Sequence, residues 1–369
     1  VALVKISAFK ISKFSLLLRE PLIIGRHHLT HRTGLIIELG ADNGHVALGE
    51  ISPLPGLSRE DLTEVESQIA CLRSWVIGHD LPDGLQDLSG SFDAWLKGYD
   101  LAPSVRFGFE AAVLNLVAAM RGVPLRKIIS DSPRDWISIN CLLTGPPDKI
   151  MEKTVKLLKK GYLAFKLKVG RNAVREDIEI TRDVRRLIGD DATLRLDANR
   201  AWDMDHALAF AEALAGVRID YIEEPVKTIT LLKQLMDEMV SLPLALDESL
   251  LELAPEDLPS LLGIKAIVLK PTLLGLEKAI RFARSAAALG MTPVISSAFE
   301  SGVGLGVLAQ VAASVNRRDV PAGLDTLDWF DQDLLVASPK IERGRLQIAK
   351  LPDPGKGLRH DLLQAICDD

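Results

Sequence analysis

The sequence predicts an α/β fold in which a (β/α) barrel follows an N-terminal stretch of strands and helices. From about Ile137 onward, short β-rich runs alternate with helix-length segments, and the polar strand ends Lys168, Asp197, Glu223, Asp247 and Lys270 follow one another at βα-unit intervals. About eight such units in sequence fit a closed barrel better than an open sheet. The length of 369 residues suits two domains or one large barrel with an elaboration.

Taken in order, the first fifty residues read as a strand meander. Lys5 to Leu18 alternates polar and apolar residues, Leu35 to Leu39 is a short apolar run, and Val46 to Ile51 follows the turn Asp42-Asn43-Gly44. Ser58 to Gly78 reads as a helix, with Ser58 as N-cap ahead of Glu60 and Asp61, acids favoured in a first turn by the helix dipole. Ser104, directly after Pro103, is the expected cap of a second helix running to Met120, stopped by Gly122 and Pro124. That helix is apolar almost all round and is expected to be buried between two domains. The strand cores that follow are Ile137 to Leu142, Phe165 to Val169, Thr193 to Asp197, Tyr221 to Glu223, Leu244 to Asp247, Ala266 to Lys270, Pro293 to Ser296 and a last one near Thr326 to Asp328. The Pro- and charge-rich remainder does not continue the repeat, and it is expected to pack back on the N-terminal part.

Composition removes several classes of function. Hydrophobic residues at 47% and charged residues at 25% belong to an ordinary globular chain, which excludes disordered and disulfide-scaffold classes. A net charge of −6 without a dense basic run lacks the stripe that neutralises phosphates, so nucleic acid is not an expected partner. Cys71, Cys141 and Cys367 form no ligand-like spacing and no disulfide framework, which points to a reducing cytoplasm. Val1 to Leu18 carries no continuous apolar core or small-residue cleavage pattern, and no apolar run reaches the ~18 residues of a membrane span. A soluble protein without membrane contact is expected.

The candidate chemistry lies at the strand ends. Period-2 geometry on Phe165-Lys166-Leu167-Lys168-Val169 puts the apolar residues on one face and both lysines on the other. The apolar face must meet the helices, so Lys166 and Lys168 point into the barrel, where unpaired ammonium groups would be costly. The next strands supply anions. Arg195 and Asp197 face inward between Leu194 and Leu196; Asp247 does so after Leu246; and either Glu223 or Glu224 can face in by parity. Singly, each carboxylate reads as a cap at a strand-to-helix turn. Three in consecutive units, flanked by Lys168 before and Lys270 after, describe an oxygen-only site for a hard cation such as Mg2+, or Mn2+, at the functional rim. Such a set suits removal of a proton next to the carboxylate of a small-molecule substrate: the cation accepts enediolate charge while a lysine of lowered pKa takes the proton.

These residues carry a resemblance. Lys166-Leu167-Lys168, Leu194-Arg195-Leu196-Asp197-Ala198-Asn199, Glu223-Glu224-Pro225, Asp247-Glu248-Ser249 and Lys270-Pro271-Thr272 resemble the enolase superfamily, within it the muconate-lactonizing subgroup and its o-succinylbenzoate synthases. So do Ile295 to Ser301, Gly323 to Asp328 and, near the N-terminus, Gly49-Glu50-Ile51-Ser52-Pro53-Leu54-Pro55-Gly56. The resemblance implies a modified (β/α)7β TIM-like barrel at 131–330, an α+β capping domain at 1–130, and a segment at 331–369 that returns to the cap. It implies Asp197, Glu223 and Asp247 as Mg2+ ligands, Lys168 as acid/base and Lys270 as stabiliser of the anionic intermediate. The implied reaction is a lyase step of menaquinone biosynthesis, loss of water from 2-succinyl-6-hydroxy-2,4-cyclohexadiene-1-carboxylate to give o-succinylbenzoate.

Lys166 is read first as a like-charge neighbour that lowers the pKa of Lys168, with a bridge to Asp197 as the alternative. Arg195 is a candidate substrate contact or, alternatively, an internal salt bridge. Ser296, Ser297 and Glu300 either line the substrate pocket or form a helix-capping cluster. His27, His28 and His31 lie in a polar segment that reads as a mobile loop, by resemblance one covering the site, and His206 reads as surface. Three rivals remain: an N-succinylamino acid racemase or dipeptide epimerase using both lysines, a Schiff-base aldolase that leaves the carboxylates unexplained, and a non-enzymatic binding protein.

Overall fold

The computed structural model describes residues 4–238 and 242–367. The chain opens with β1 (Ile6–Ile24), β2 (His27–Ala41) and β3 (Val46–Ile51), followed by the helices α1 (Leu62–Val76), α2 (Ser91–Trp95), α3 (Pro103–Arg121) and α4 (Leu125–Ile129). Then come β4 (Trp136–Ser138), β5 (Cys141–Leu143), α5 (Pro147–Lys159), β6 (Ala164–Lys168), α6 (Val174–Ile188), β7 (Thr193–Asp197), α7 (Met204–Ala213), β8 (Tyr221–Glu223), α8 (Ile229–Glu238) and β9 (Leu244–Leu246). The remainder comprises β10 (Ala266–Leu269), α9 (Pro271–Leu274), α10 (Leu276–Ala288), β11 (Thr292–Ile295), α11 (Gly302–Val315), β12 (Ile341–Glu342), β13 (Arg345–Gln347), α12 (Pro354–Gly357) and β14 (Leu363–Cys367).

β5 to β11 form one parallel sheet in chain order. Single bridges Ile139–Ala322 and Ser296–Gly323 join its two edges through residues 322–323, which closes the barrel. The closing strand thus lies a few residues before the expected Thr326 to Asp328, which instead form the start of a 3-10 turn over Leu327–Trp329. Gly323 permits the close contact, since a Cβ there would sit 2.6 Å from the Ser296 hydroxyl. The expected strand Ile137 to Leu142 is split: β4 pairs with β13 outside the barrel and only β5 enters it. Phe165, Leu167, Leu194, Leu196, Ile222 and Ile267 pack outward in the main core, while Tyr221, Ala245, Ala266, Val268 and Val294 form a small inner cluster. The alternation of these strands is therefore the in–out code of a barrel.

The antiparallel sheet β14-β1-β2-β3 stands over this barrel. One face packs Ile6, Phe9 and Ile11 against the α1 and α3 residues Val65, Val105 and Phe109, and the other packs Phe14, Leu16 and Leu18 with barrel residues Leu273, Ala298 and Val303. Where β3 crosses α3 the backbones touch, and a Cβ on Gly49 would lie 2.0 Å from the Gly108 carbonyl oxygen. Two expected caps fall elsewhere. Asp61 caps α1 by accepting from the Glu64 N–H at 2.9 Å, while the Ser58 hydroxyl is occupied by the Leu54 N–H. Ala102 precedes α3 and Pro103 is its first residue; the buried Ser104 N–H, which has no acceptor within the helix, is met by Glu60 from outside it. His27, His28 and His31 are paired strand residues of the β1–β2 hairpin rather than a loop, with Ile24 opposite His27 and Leu17 opposite His31. No helix among the described residues is long and apolar enough to cross a membrane.

Candidate active site

Strand register assembles the charged groups. Lys168 stands beside Asp197 and Asp197 beside Glu223, and the ends of β9 and β10 add Asp247 and Lys270. Tyr221 and Glu223 face inward and Ile222 outward, which settles the parity in favour of Glu223. One oxygen from each of Asp197, Glu223 and Asp247 lies within 4.8 Å of the others, and all three residues are buried. The neighbouring Glu224 instead turns away and holds the next strand's end: its carboxylate accepts from the Asp247 N–H (2.8 Å), the Ser249 N–H (2.9 Å) and the Ser249 hydroxyl (2.9 Å). Glu224 takes a left-handed φ of 39°, as do Asn199 at 44° and Arg200 at 61°, so backbone strain gathers at this rim.

Three ammonium groups meet these carboxylates. Lys168 donates to Asp197 at 2.5 Å and to the Asn199 side-chain oxygen at 2.6 Å, from one flank. Lys270 donates to both oxygens of Asp247 from the other flank. Lys166 lies 2.9 Å from Asp197 and 2.5 Å from Glu223, so the geometry favours its alternative role as a bridge, extended to a second carboxylate. Burial opposes the charge on Lys166, but Asp197 and Glu223 outweigh it and hold its pKa well above the ordinary lysine value. Burial would likewise raise Asp197; Lys166 and Lys168 overcome it and keep that carboxyl far below its usual range. At Glu223 burial wins, and the carboxyl is pushed up to about 8. A dense, buried, oxygen-only set of this kind needs compensating positive charge, and its donors fit a hard divalent cation.

The cluster forms the floor of a cavity of about 630 Å3. Its far wall is apolar, built by Leu22 and Ile24 at the hairpin tip, Leu54, and the edge-to-face pair Phe299 and Trp329 at 5.4 Å. A buried guanidinium fixes that wall: Arg32 on β2 donates to the carbonyls of Phe299 (3.1 Å), Pro53 (2.8 Å) and Ser52 (2.9 Å). Glu50 adds a second tie by accepting from Ser301 and Gly304 at the start of α11. The segment Gly49 to Gly56 thus shapes the cavity from the N-terminal side. The histidines of the hairpin do not line it; Pro21 to Gly25 do.

Comparison with known proteins agrees with this geometry. Residues 149–364 match the model of the enolase C-terminal domain-like family, and residues 6–116 match that of the MenC N-terminal domain. The o-succinylbenzoate synthase of Vibrio cholerae serotype O1 (strain M66-2) is 33% identical over 336 residues, covering 89% of this chain and 91% of the relative. The chain belongs to the o-succinylbenzoate synthase family of the enolase superfamily. The chloroplastic protein PHYLLO of Arabidopsis thaliana is 32% identical over 350 residues, and the match spans 85% of this chain but only 20% of that much longer protein. Among solved structures, the muconate lactonizing enzyme of Pseudomonas fluorescens superposes with a TM-score of 0.85 at 22% identity, covering 98% of this chain and 99% of the other. The N-succinyl Arg/Lys racemase of Bacillus cereus does so with 0.84 at 22% identity, covering 97% and 96%.

Within this family frame the remaining candidates divide. Ser296 and Ser297 line the cavity, Ser297 sharing a hydrogen bond with Thr326 at 2.8 Å. Glu300 does not: it is fully buried beneath the loop, accepts from the Ala298 N–H at 2.8 Å and from Thr272, and burial pushes its carboxyl up to about 7. It caps no helix either: Ser301 caps α11 by accepting from the Val303 N–H, and Glu300 instead ties the turn at Ala298 to Thr272 of α9. Arg195 is also displaced from the expected contact with substrate. Its guanidinium is 3.0 Å from Asp220, 2.9 Å from the Asn140 side-chain oxygen and 2.6 Å from the Pro321 carbonyl, and lies over the Tyr221 ring. Asn140, not Arg195, reaches the cavity. Arg195→Lys is expected to lower stability by ~2–3 kcal/mol through lost charged hydrogen bonds, with turnover per folded molecule kept within about tenfold. Urea unfolding beside a rate measurement checks this; unchanged stability with a larger rate loss would restore the substrate contact. Sequence reading missed Asn140, Leu142, Thr144 and Arg171, all on the wall. Alternation along the first barrel strand marks the first three, and nothing in the pattern marks Arg171.

Proposed function

We infer that this chain is a lyase that converts 2-succinyl-6-hydroxy-2,4-cyclohexadiene-1-carboxylate and produces o-succinylbenzoate for menaquinone biosynthesis. The observation that carries the reading is the order Lys168, Asp197, Glu223, Asp247, Lys270 around the floor of a cavity with an apolar wall. Asp197, Glu223 and Asp247 would hold Mg2+, which when bound supplies positive charge to the substrate's ring carboxylate. Lys168, as the free amine, takes the proton from the carbon bearing that carboxylate, and the C–H electron pair moves into an enediolate. Lys270 faces that charge from the opposite flank and stabilises it electrostatically. The enediolate pair then returns to the ring as the C–O bond breaks, and the Lys168 ammonium gives its proton to the departing hydroxide, releasing water and the aromatic product. Lys166 balances charge among the carboxylates. Ser296 and Ser297 contact the substrate along the wall.

Racemisation of N-succinylamino acids is the second reading, favoured by the two lysines standing on opposite flanks of one cluster. A Schiff-base aldolase has no use for three carboxylates held against its lysines. Metal removal tests the main reading: EDTA is expected to abolish turnover, and Mg2+ or Mn2+ to restore it, with Asp197→Asn, Glu223→Gln and Asp247→Asn each weakening metal affinity in calorimetric titration. Full activity in metal-free enzyme, or a lysine adduct trapped by borohydride, would overturn it.

A further inference from the structure

The proposed substrate carries two carboxylates, one on the ring and one at the end of its succinyl chain, and the cation cluster accounts only for the first. Four cationic side chains line the cavity, namely Lys166, Lys168, Lys270 and Arg171. The three lysines are committed to Asp197, Glu223 and Asp247. Arg171 alone has no ion pair among the described residues; it donates to the Thr144 hydroxyl at 3.0 Å on the neighbouring strand end. The other charged groups on the wall outside the cluster, Glu248 and Asp325, are acidic and would repel an anion.

The backbone that bears Arg171 is fixed. Gly170 has a φ of +81°, and a Cβ there would lie 2.6 Å from the Ala201 side chain, so the chain turns tightly against the loop after β7. The fully buried Asp177 on α6 accepts from the Gly170 N–H at 2.7 Å and from the Asn172 amide at 3.4 Å, pinning the residues on both sides of Arg171. The guanidinium is therefore a planar fork on a held loop at the cavity rim, the form suited to bidentate capture of a carboxylate.

We propose that Arg171 is a specificity-determining residue that binds the distal succinyl carboxylate, with Thr144 orienting its guanidinium. This rests on the dehydratase reading above. The test compares the natural diacid substrate with its analogue in which the succinyl carboxylate is a primary amide, in wild-type holoenzyme and in Arg171→Gln and Arg171→Lys. Wild type is expected to prefer the diacid by roughly 10- to 100-fold in kcat/KM, the span of one or two charge-assisted hydrogen bonds, and mainly through KM. Arg171→Gln should collapse that preference to within about threefold, and Arg171→Lys should recover part of it. Because Arg171 is exposed on the rim, thermal unfolding of both variants should match wild type. Turnover by wild type with a preference that Arg171→Gln leaves unchanged, or with no preference at all, overturns the proposal alone. Absence of turnover by wild type on both compounds overturns the dehydratase reading and the proposal with it.

Discussion

Lys168→Ala is expected to lose essentially all dehydration, because the same nitrogen removes the proton and returns it to the leaving hydroxide. General acid–base catalysis by a positioned group contributes about 10²–10⁴-fold per role, and Lys168 serves both halves of the step. Lys270→Ala removes only a preorganised charge, for which about 10²–10³ in kcat is the expected loss. Lys270→Arg keeps a cation beside Asp247, so it should retain more dehydration than Lys270→Ala. Racemisation separates the pair further. It requires a proton acceptor on each face, and arginine remains protonated, so neither Lys270 variant should racemise an N-succinylamino acid. Single-turnover rates on both substrates, with exchange of the α-proton followed by NMR, read these differences. Retained dehydration in Lys168→Ala together with its loss in Lys270→Ala would exchange the two roles.

The inward placement of these charged side chains was legible in the sequence because a barrel strand writes its facing in alternation, whereas the separate roles of Lys168 and Lys270 came only from the family resemblance. Leucines at 194 and 196 and at 244 and 246 mark the helix side, so the charged residues between and after them must face in. Parity, however, gives direction and not depth. Arg195 and Asp197 share a face, yet two residues of strand separate them by ~6.6 Å along the barrel axis, enough to place one beneath the cavity and the other on its floor. Arg195 accordingly answers to Asp220, Asn140 and Pro321 rather than to a ligand. Ambiguity in the Glu-Glu pair had a different origin: both glutamates are buried, and only the register with β9 shows that Glu224 is spent on the Asp247 and Ser249 backbone. The hairpin misled for a third reason. A polar, histidine-rich sequence reads as loop, but the long β1–β2 ladder carries its strands past the sheet, and the apolar tip residues Leu22 and Ile24 are what reach the site.

The largest effect on stability is expected at Glu277, far from the chemistry. This fully buried carboxylate opens α10 of the barrel and accepts from the Gly90 N–H (3.1 Å), the Ser91 hydroxyl (3.0 Å), the Phe92 N–H (3.2 Å) and the Asp93 N–H (3.1 Å). It therefore caps the whole start of α2 from another part of the chain, which explains why Gly90 can precede that helix without a capping side chain of its own. Glu110 completes the arrangement by accepting from the Glu277 N–H at 2.8 Å and pairing with Arg106. Glu277→Ala would strip four donors of their acceptor in a partly buried interface and leave Arg106 with less negative charge nearby, so a loss of ~3–5 kcal/mol is expected. Glu277→Gln keeps one acceptor oxygen but turns an amide N–H2 toward other donors, and should cost about 2–3 kcal/mol. Urea unfolding followed by circular dichroism measures both. Turnover per folded molecule should hardly change, since none of these groups lines the cavity. A loss under about 1 kcal/mol in Glu277→Ala would mean that α2 recovers its donors' partners from solvent, and that the tie between this helix and the barrel is not built on the carboxylate.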